Sequence, residues 1–250
     1  MNRFFVPPEQ IRDGIVTITG GDVNHLKNVL RLKKGGEVLV NDGSDRVYRC
    51  AVDEYGRDEA RLTVLSSETV DRELPSRVVL FQGLPKGDKF DAILQKSVEL
   101  GVYSVVPVEM KRCVAKWDKT RESGKLKRYR AISESAAKQS GRNFVPEVAE
   151  AMTLEDAVAY ANGLDVLLVP YENEESVAET NAALDALRPD QSVGVFIGPE
   201  GGFEPEEIEK LKAAGAKTVT LGKRILRTET AGPAVLAMLV YLLEIRSKKA

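Results

Sequence analysis

Val195-Phe-Ile-Gly-Pro-Glu-Gly-Gly-Phe203 and Leu221-Gly-Lys-Arg-Ile-Leu-Arg-Thr-Glu-Thr-Ala231 decide how the second half of this chain is read. Each sets an apolar, strand-like run directly before a turn with little or no side chain. Such a turn brings bare backbone against a ligand. One short helical pattern separates the two, so both can end neighbouring strands of one sheet. A crevice at strand C-termini is where open α/β sheets take small molecules.

The surrounding pattern agrees. From Val78 onward, strands alternate with helices. Strands are predicted at 78–84, 105–108, 165–169, 192–197 and 218–221. Helices are predicted at 89–100, 121–140, 154–162, 174–187, 205–214 and 230–246. That alternation means a mostly parallel sheet covered on both faces, an ordinary doubly wound α/β domain by pattern alone. The first 72 residues differ. Short β-rich runs at 15–19, 38–41, 48–53 and 60–65 are punctuated by Gly35-Gly36 and Asp42-Gly43. One helical pattern, 22–30, interrupts them, with Asp22 as its predicted N-cap. This is a small β-barrel composition. The boundary falls near Val70–Ser76, dividing the chain into 1–72 and 73–250.

Charge adds a partner class. The net charge of the 250 residues is −2, but 77–145 carry a net +8 and 146–250 a net −8. A basic block on an acidic chain is the footprint of a polyanion-binding face; its alternative is a solvated helix surface. Trp117 and Tyr129 interleave with the block, placed for stacking on unpaired bases or for core packing. Two distant cysteines and a single histidine, His25, supply no metal-ligand spacing, so no metal is expected. The N-terminus lacks an apolar signal segment, and the longest apolar run, 234–243, is shorter than a bilayer span. A cytoplasmic protein without membrane contact is expected.

The two glycine-bearing segments resemble the cofactor loops of the SPOUT methyltransferases. They are most similar to those of the small-subunit ribosomal RNA uridine-N3 methyltransferases. Asn2-Arg-Phe-Phe-Val6, His25-Leu-Lys-Asn-Val-Leu-Arg-Leu-Lys33, Lys96-Ser-Val-Glu-Leu-Gly-Val102 and Ala137-Lys-Gln-Ser-Gly-Arg-Asn143 resemble the same family in the same order. The resemblance implies an N-terminal PUA-like domain, a C-terminal SPOUT domain with a trefoil knot, and a homodimer. It also implies methylation of a uridine at N3 in 16S ribosomal RNA, free or within the assembled small subunit.

The implied cofactor is S-adenosylmethionine, held mainly by backbone atoms of three loops. Leu168 and Pro170 belong to the first. Ile197, Gly198, Pro199, Glu200, Gly201 and Gly202 form the second. Leu221, Gly222, Ile225, Leu226, Arg227, Thr228, Thr230 and Ala231 form the third. Glu204 stands where relatives often carry Ser, which weakens the helix cap after the second loop. Thr230 is the predicted cap after the third, with Pro233 in its first turn. Glu229 either faces the sulfonium or pairs with a nearby Arg.

The chemistry selects further candidates. Uracil N3 is a poor nucleophile until its imide proton leaves, and the resulting charge on the flanking carbonyl oxygens needs donors. Arg142, beyond the predicted helix stop at Gly141, is such a donor, or else complements the helix C-terminus. Gln139 is its base-orienting partner, and Glu200 is a third candidate. For RNA contacts the basic set is Arg3, Arg31, Lys33, Lys86, Arg112, Lys127 and Arg128. Lys96 and Glu99 are read as a structural pair. The alternatives are a SPOUT enzyme acting on another RNA or ribose position, a noncatalytic RNA-binding assembly protein, and a nucleotide-binding hydrolase.

Overall fold

The computed structural model describes residues 1–117, 120 and 122–246. Lys119 and Arg121 of the basic block, and the helix start predicted at 121, lie outside the described residues. The chain divides into two compact units, one of residues 1–73 with 137–145 and the other of 74–136 with the chain from Pro146 onward.

The first unit is built on a six-stranded sheet. Its strands are β1 (Arg3–Phe5), β2 (Ile11–Arg12), β3 (Ile15–Thr19), β4 (Glu37–Asn41), β5 (Arg46–Tyr55) and β6 (Glu59–Thr69), in the order β1-β4-β5-β6-β3-β2. Only the β1–β4 pair is parallel. Val16 and Ile18, Val38 and Val40, Cys50 and Val52, and Ala60 and Leu62 alternate inward at period two, and Phe4 and Leu26 join them in one core. The helix predicted over 22–30 is instead one α-helical turn, α1 (Gly21–Asn24), followed by a wider π-helical stretch, His25–Val29. Gly20, with φ +70°, takes the cap position predicted for Asp22.

The second unit carries an all-parallel sheet. Its strands are β7 (Arg77–Gly83), β8 (Ser104–Glu109), β9 (Glu147–Val148), β10 (Met152–Thr153), β11 (Val166–Pro170), β12 (Ser192–Ile197) and β13 (Lys217–Val219). The order is β10-β8-β7-β12-β11-β13, with β9 also on β8. Helices α2 (Lys89–Glu99), α3 (Glu122–Ser140), α4 (Leu154–Ala161), α5 (Val177–Asp185), α6 (Pro205–Ala213) and α7 (Thr228–Val240) connect or follow the strands. Central strands are buried on both faces, hence their near-continuous apolar runs. Phe81 and Phe196 sit in register on β7 and β12 and stack 4.3 Å apart. They share a core with Phe203, Ile208 and Leu211. Helices α2 and α7 pack together, and α7 also meets β12. Lys96 and Glu99 form the expected pair at 2.9 Å.

The C-terminal helix departs from expectation in its start and in its last turns. Helix α7 begins at Thr228, not Thr230, because the Thr230 and Ala231 amides already donate to the Arg227 carbonyl; Pro233 therefore lies inside the helix. A π-helical stretch, Tyr241–Arg246, extends it. The combined 228–246 segment has a mean hydropathy of 1.3, which by length and composition alone suffices to cross a membrane. Val235, Leu236, Leu239 and Leu243 are nevertheless buried within the fold, as in a core helix.

Candidate functional site: a glycine-walled cavity at the strand ends

The C-terminal ends of β12, β11 and β13 converge around a cavity of about 820 Å³. Every residue expected to hold the cofactor lines it except Leu168, which is buried in the sheet, and Thr230, which is exposed on α7. Pro170 and Tyr171 form one wall, Ile197–Phe203 the second and Thr220–Thr228 the third. Glu172, Glu174, Glu175 and Lys89 also line it and were not expected as cofactor residues. Lys89 had a visible signal: Lys86-Gly-Asp-Lys89 follows a strand whose end faces the same edge.

Backbone closeness explains the glycines. A Cβ at Gly83 would stand 2.7 Å from the Pro199 nitrogen, so the end of β7 packs directly on the second loop. Gly202 has φ +68° and Gly222 φ +99°, conformations that favour glycine. Thr228 ties the loops together. Its hydroxyl donates to the Gly198 carbonyl at 2.7 Å and accepts from Gln82 Nε2 at 2.9 Å.

Charged groups brace the same wall. Glu200 accepts from the Lys86 amide at 3.0 Å and from Lys89 Nζ at 2.8 Å. Partial burial pushes the Glu200 carboxyl up, but the Lys89 and backbone donors outweigh it and hold the group below the usual carboxylate range. The bond to Glu200 raises Lys89 in turn, against a smaller desolvation effect. Lys89 also approaches Glu229 at 3.5 Å, so Glu229 pairs with a lysine, not the arginine considered above. Arg112 is spoken for as well. It donates to Glu204 at 2.9 Å and to the Gly201 carbonyl at 2.8 Å. Glu204 stands at the N-cap of α6, and the Glu207 carboxylate accepts its amide at 2.9 Å. The departure from Ser therefore gains an ion pair that holds the glycine loop.

The remaining candidates lie elsewhere. Arg31 and Lys33 are exposed in the first unit, Arg31 with a left-handed φ of +52°. Lys86, Lys127 and Arg128 are exposed in the second, Arg128 paired with Asp91. Arg3, expected among the RNA contacts, lies inside the first unit. It is only 8% exposed and donates to Asn41 Oδ1 at 2.6 Å. Burial and then the Arg72 cation disfavour its charge, partly offset by Glu68.

Arg142 is likewise not an open donor. It is 3% exposed, and its Nε donates to Glu73 Oε2 at 2.7 Å within the first unit. The Asn143 amide donates to the other Glu73 oxygen at 2.8 Å. These bonds explain why 137–145 groups with the N-terminal sheet despite its place in the sequence. Gly141 does end α3, with φ +76°. Gln139 is exposed in the last turn before that end. His25 meets the edge of Phe4 at 5.8 Å, a packed surface position.

The fold and cavity define a parallel α/β domain that takes a small ligand at its strand ends, carried on one chain with a β-sheet domain. The RNA methyltransferase domain family matches residues 72–240, and the RNA methyltransferase PUA domain family matches 18–65. A ribosomal RNA small subunit methyltransferase E from Bacillus subtilis is 33% identical over 98% of each chain. The crystal structure of a protein of that name from Neisseria gonorrhoeae, bound to S-adenosyl methionine, is 33% identical. It superposes with a TM-score of 0.82 over 97% of this chain and 98% of its own. A methyltransferase from Legionella pneumophila with bound cofactor SAM is 29% identical, with a TM-score of 0.83 over 95% and 96%. This chain belongs to the RNA methyltransferases, in the family of ribosomal RNA small subunit methyltransferase E.

Proposed function

We propose that this protein transfers a methyl group from S-adenosylmethionine to N3 of a uridine in 16S ribosomal RNA. The observation that carries the reading is the cavity itself, in which bare backbone at Gly198–Gly202 and Gly222 meets apolar and acidic side chains. Those residues fit the cofactor. Leu221, Ile225 and Leu226 offer an apolar wall for an adenine, and Ile225 stands 86% exposed until something covers it. Glu172, Glu174, Glu175 and Glu200 offer negative charge to a ligand carrying ammonium and sulfonium groups.

When bound, the cofactor supplies an already activated methyl donor. The chain's own task is to present uracil as an anion. Lys89, Lys223, Arg224 and Arg227 line the cavity and are the cations that can face the carbonyl oxygens of a deprotonated imide. Glu200, held ionised by Lys89 and the Lys86 amide, is a weak base, and its part is to fix Lys89 and the loop. In this reading Arg142 acts through Glu73 as a positioning residue, and Gln139 is the exposed candidate for orienting the base. The exposed set Arg31, Lys33, Lys86 and Lys127 contributes RNA contacts, whereas Arg128 is held by Asp91.

The family likeness further suggests a trefoil knot around the third loop and a homodimer in the cytoplasm. Ala237, Tyr241 and Ile245, exposed along the C-terminal helix, suit a partner surface. The test combines calorimetry with S-adenosylmethionine and mass mapping of methyl groups on ribosomal RNA from cells with and without the protein. Loss of one N3-methyluridine from 16S RNA is expected. A loss at a ribose or another base would instead select the alternative SPOUT activity, and no cofactor binding would select the noncatalytic RNA-binding reading.

A further inference from the structure

We propose that a second, smaller cavity in the α/β unit holds an unstacked nucleotide of the substrate RNA, distinct from the nucleotide that is methylated. The proposal rests on the RNA methyltransferase reading above and assigns it a separate subsite. The cavity measures about 270 Å³ and is walled by Phe90, Trp117 and Tyr129, with Lys116, Lys125 and Arg128 around it. That volume suits one nucleoside and excludes a duplex. Aromatic walls with cations at the rim are how single-stranded RNA is gripped, the rings taking the base and the cations the phosphate.

The aromatic wall is held in place. Trp117 Nε1 donates to Glu122 Oε1 at 2.6 Å and the Trp117 amide to Glu109 Oε1 at 2.7 Å. Phe90 and Tyr129 pack with centroids 4.6 Å apart. Trp117 is 9% exposed and packs in one cluster with Leu84 and Leu126. Lys125 Nζ stands 4.8 Å from the Trp117 ring centroid, where it can turn to a phosphate without leaving the site. Arg128 is fixed by Asp91 and lies 3.6 Å from Asp88. The two carboxylates thus consume the arginine charge and leave Lys116 and Lys125 for an anion. They also offer acceptors to a base N–H or amino group.

Location makes the occupant a neighbour of the target. The segment 84–91 is a common wall: Lys89 lines the cofactor cavity, whereas Leu84, Pro85, Gly87, Asp88, Phe90 and Asp91 line the second. A strand that delivers one base to the methyl donor passes this wall with the next. The same wall is tied to the cofactor loop through the Lys86 amide and Glu200.

Trp117 is the single tryptophan of the chain, so its fluorescence reports this cavity alone. The experiment titrates the full chain with a single-stranded RNA of about ten nucleotides and mixed sequence, following Trp117 emission and the anisotropy of an end label. The K116A/K125A double variant is titrated in parallel, and both proteins are titrated with S-adenosylmethionine by calorimetry. The expected result is saturable quenching that follows the anisotropy. In the double variant, RNA affinity falls on the order of tenfold, quenching is lost, and cofactor affinity is unchanged. RNA binding without quenching, undiminished binding and quenching in the variant, or no RNA binding at all would overturn the proposal. Failure of the wild type to bind S-adenosylmethionine would instead strike the methyltransferase reading and leave the fluorescence result to judge the cavity.

Discussion

The Thr228 hydroxyl donates to the Gly198 carbonyl oxygen at 2.7 Å while accepting from Gln82 at 2.9 Å. One side chain thus joins the end of β7 to two loops far apart in sequence. Thr228→Val keeps the shape and removes both bonds, costing the part-buried Gly198 carbonyl its side-chain donor and leaving Gln82 Nε2 with its bond to the Gly83 carbonyl alone. A loss of about 1–3 kcal/mol in unfolding free energy is expected, with weaker S-adenosylmethionine binding. Thr228→Ser should retain most of both. Denaturant melts and calorimetry of the two variants check this.

The glycines should fail for different reasons. At Gly201 a new Cβ would sit 3.0 Å from the Arg112 Cβ and press on the residue that supports the loop. At Gly222 the nearest atom is 3.8 Å away, so only the φ of +99° opposes a side chain, at about 1–2 kcal/mol. Gly201→Val should therefore abolish cofactor binding, whereas Gly222→Ala should weaken it. Equal, undiminished affinity in calorimetry for both would remove these turns from the site.

The Lys89–Glu200 bond has a defined pH window. Glu200 is depressed below its ordinary 4.5, so its contribution is complete above that value and is lost as pH falls through the lower folded-state pKa. Lys89 is raised above its ordinary 10.5, so its contribution is complete below that value and is lost as pH rises through the higher one. Cofactor affinity should be insensitive to this pair between those limits. Comparing acid unfolding of the wild type with Glu200→Gln measures it: the variant should lose less stability on acidification.

Removing Arg142 leaves the Glu73 carboxylate without its counter-ion, held by the Asn143 amide alone. Arg142→Ala should destabilise the N-terminal unit by about 3 kcal/mol. Glu73→Gln, which keeps an acceptor, should cost less. Hydrogen exchange in 1–73 and 137–145 should rise in Arg142→Ala. If exchange is unchanged while single-turnover methylation collapses, Arg142 belongs to the chemistry and not to positioning.

The two thiols should differ in reactivity. Burial pushes the Cys50 thiol up to about 12, and it packs within the sheet core. Cys113 is partly exposed. A thiol reagent at mild alkaline pH should modify Cys113 in the native protein and reach Cys50 only on unfolding.

Much of this was legible in local pattern. Alternating apolar residues in 15–65 and apolar runs in 78–81 and 193–197 report how many faces of a strand are covered. Glycine at 198, 201, 202 and 222 reports where backbone must be bare, and those turns do line the cavity. The second half of 22–30 was less legible, because a π-helical stretch and an α-helix share nearly the same spacing of apolar residues.

Charge was the least legible property. Arg3, Arg112, Arg128 and Arg142 look alike in a sequence, and the last three belong to one basic block. Three-dimensional pairing separates them: Arg3 goes to Asn41, Arg112 to Glu204, Arg128 to Asp91 and Arg142 to Glu73. Each partner except that of Arg3 is a carboxylate at long sequence separation, and the nearest acids in sequence give no hint of it. Periodicity is a local consequence of backbone geometry, so strands, helices and turns can be read along the chain. The state of a cation depends on which distant group shares its surroundings and on how far water is excluded, and both are set only once the sheets have closed over their cores.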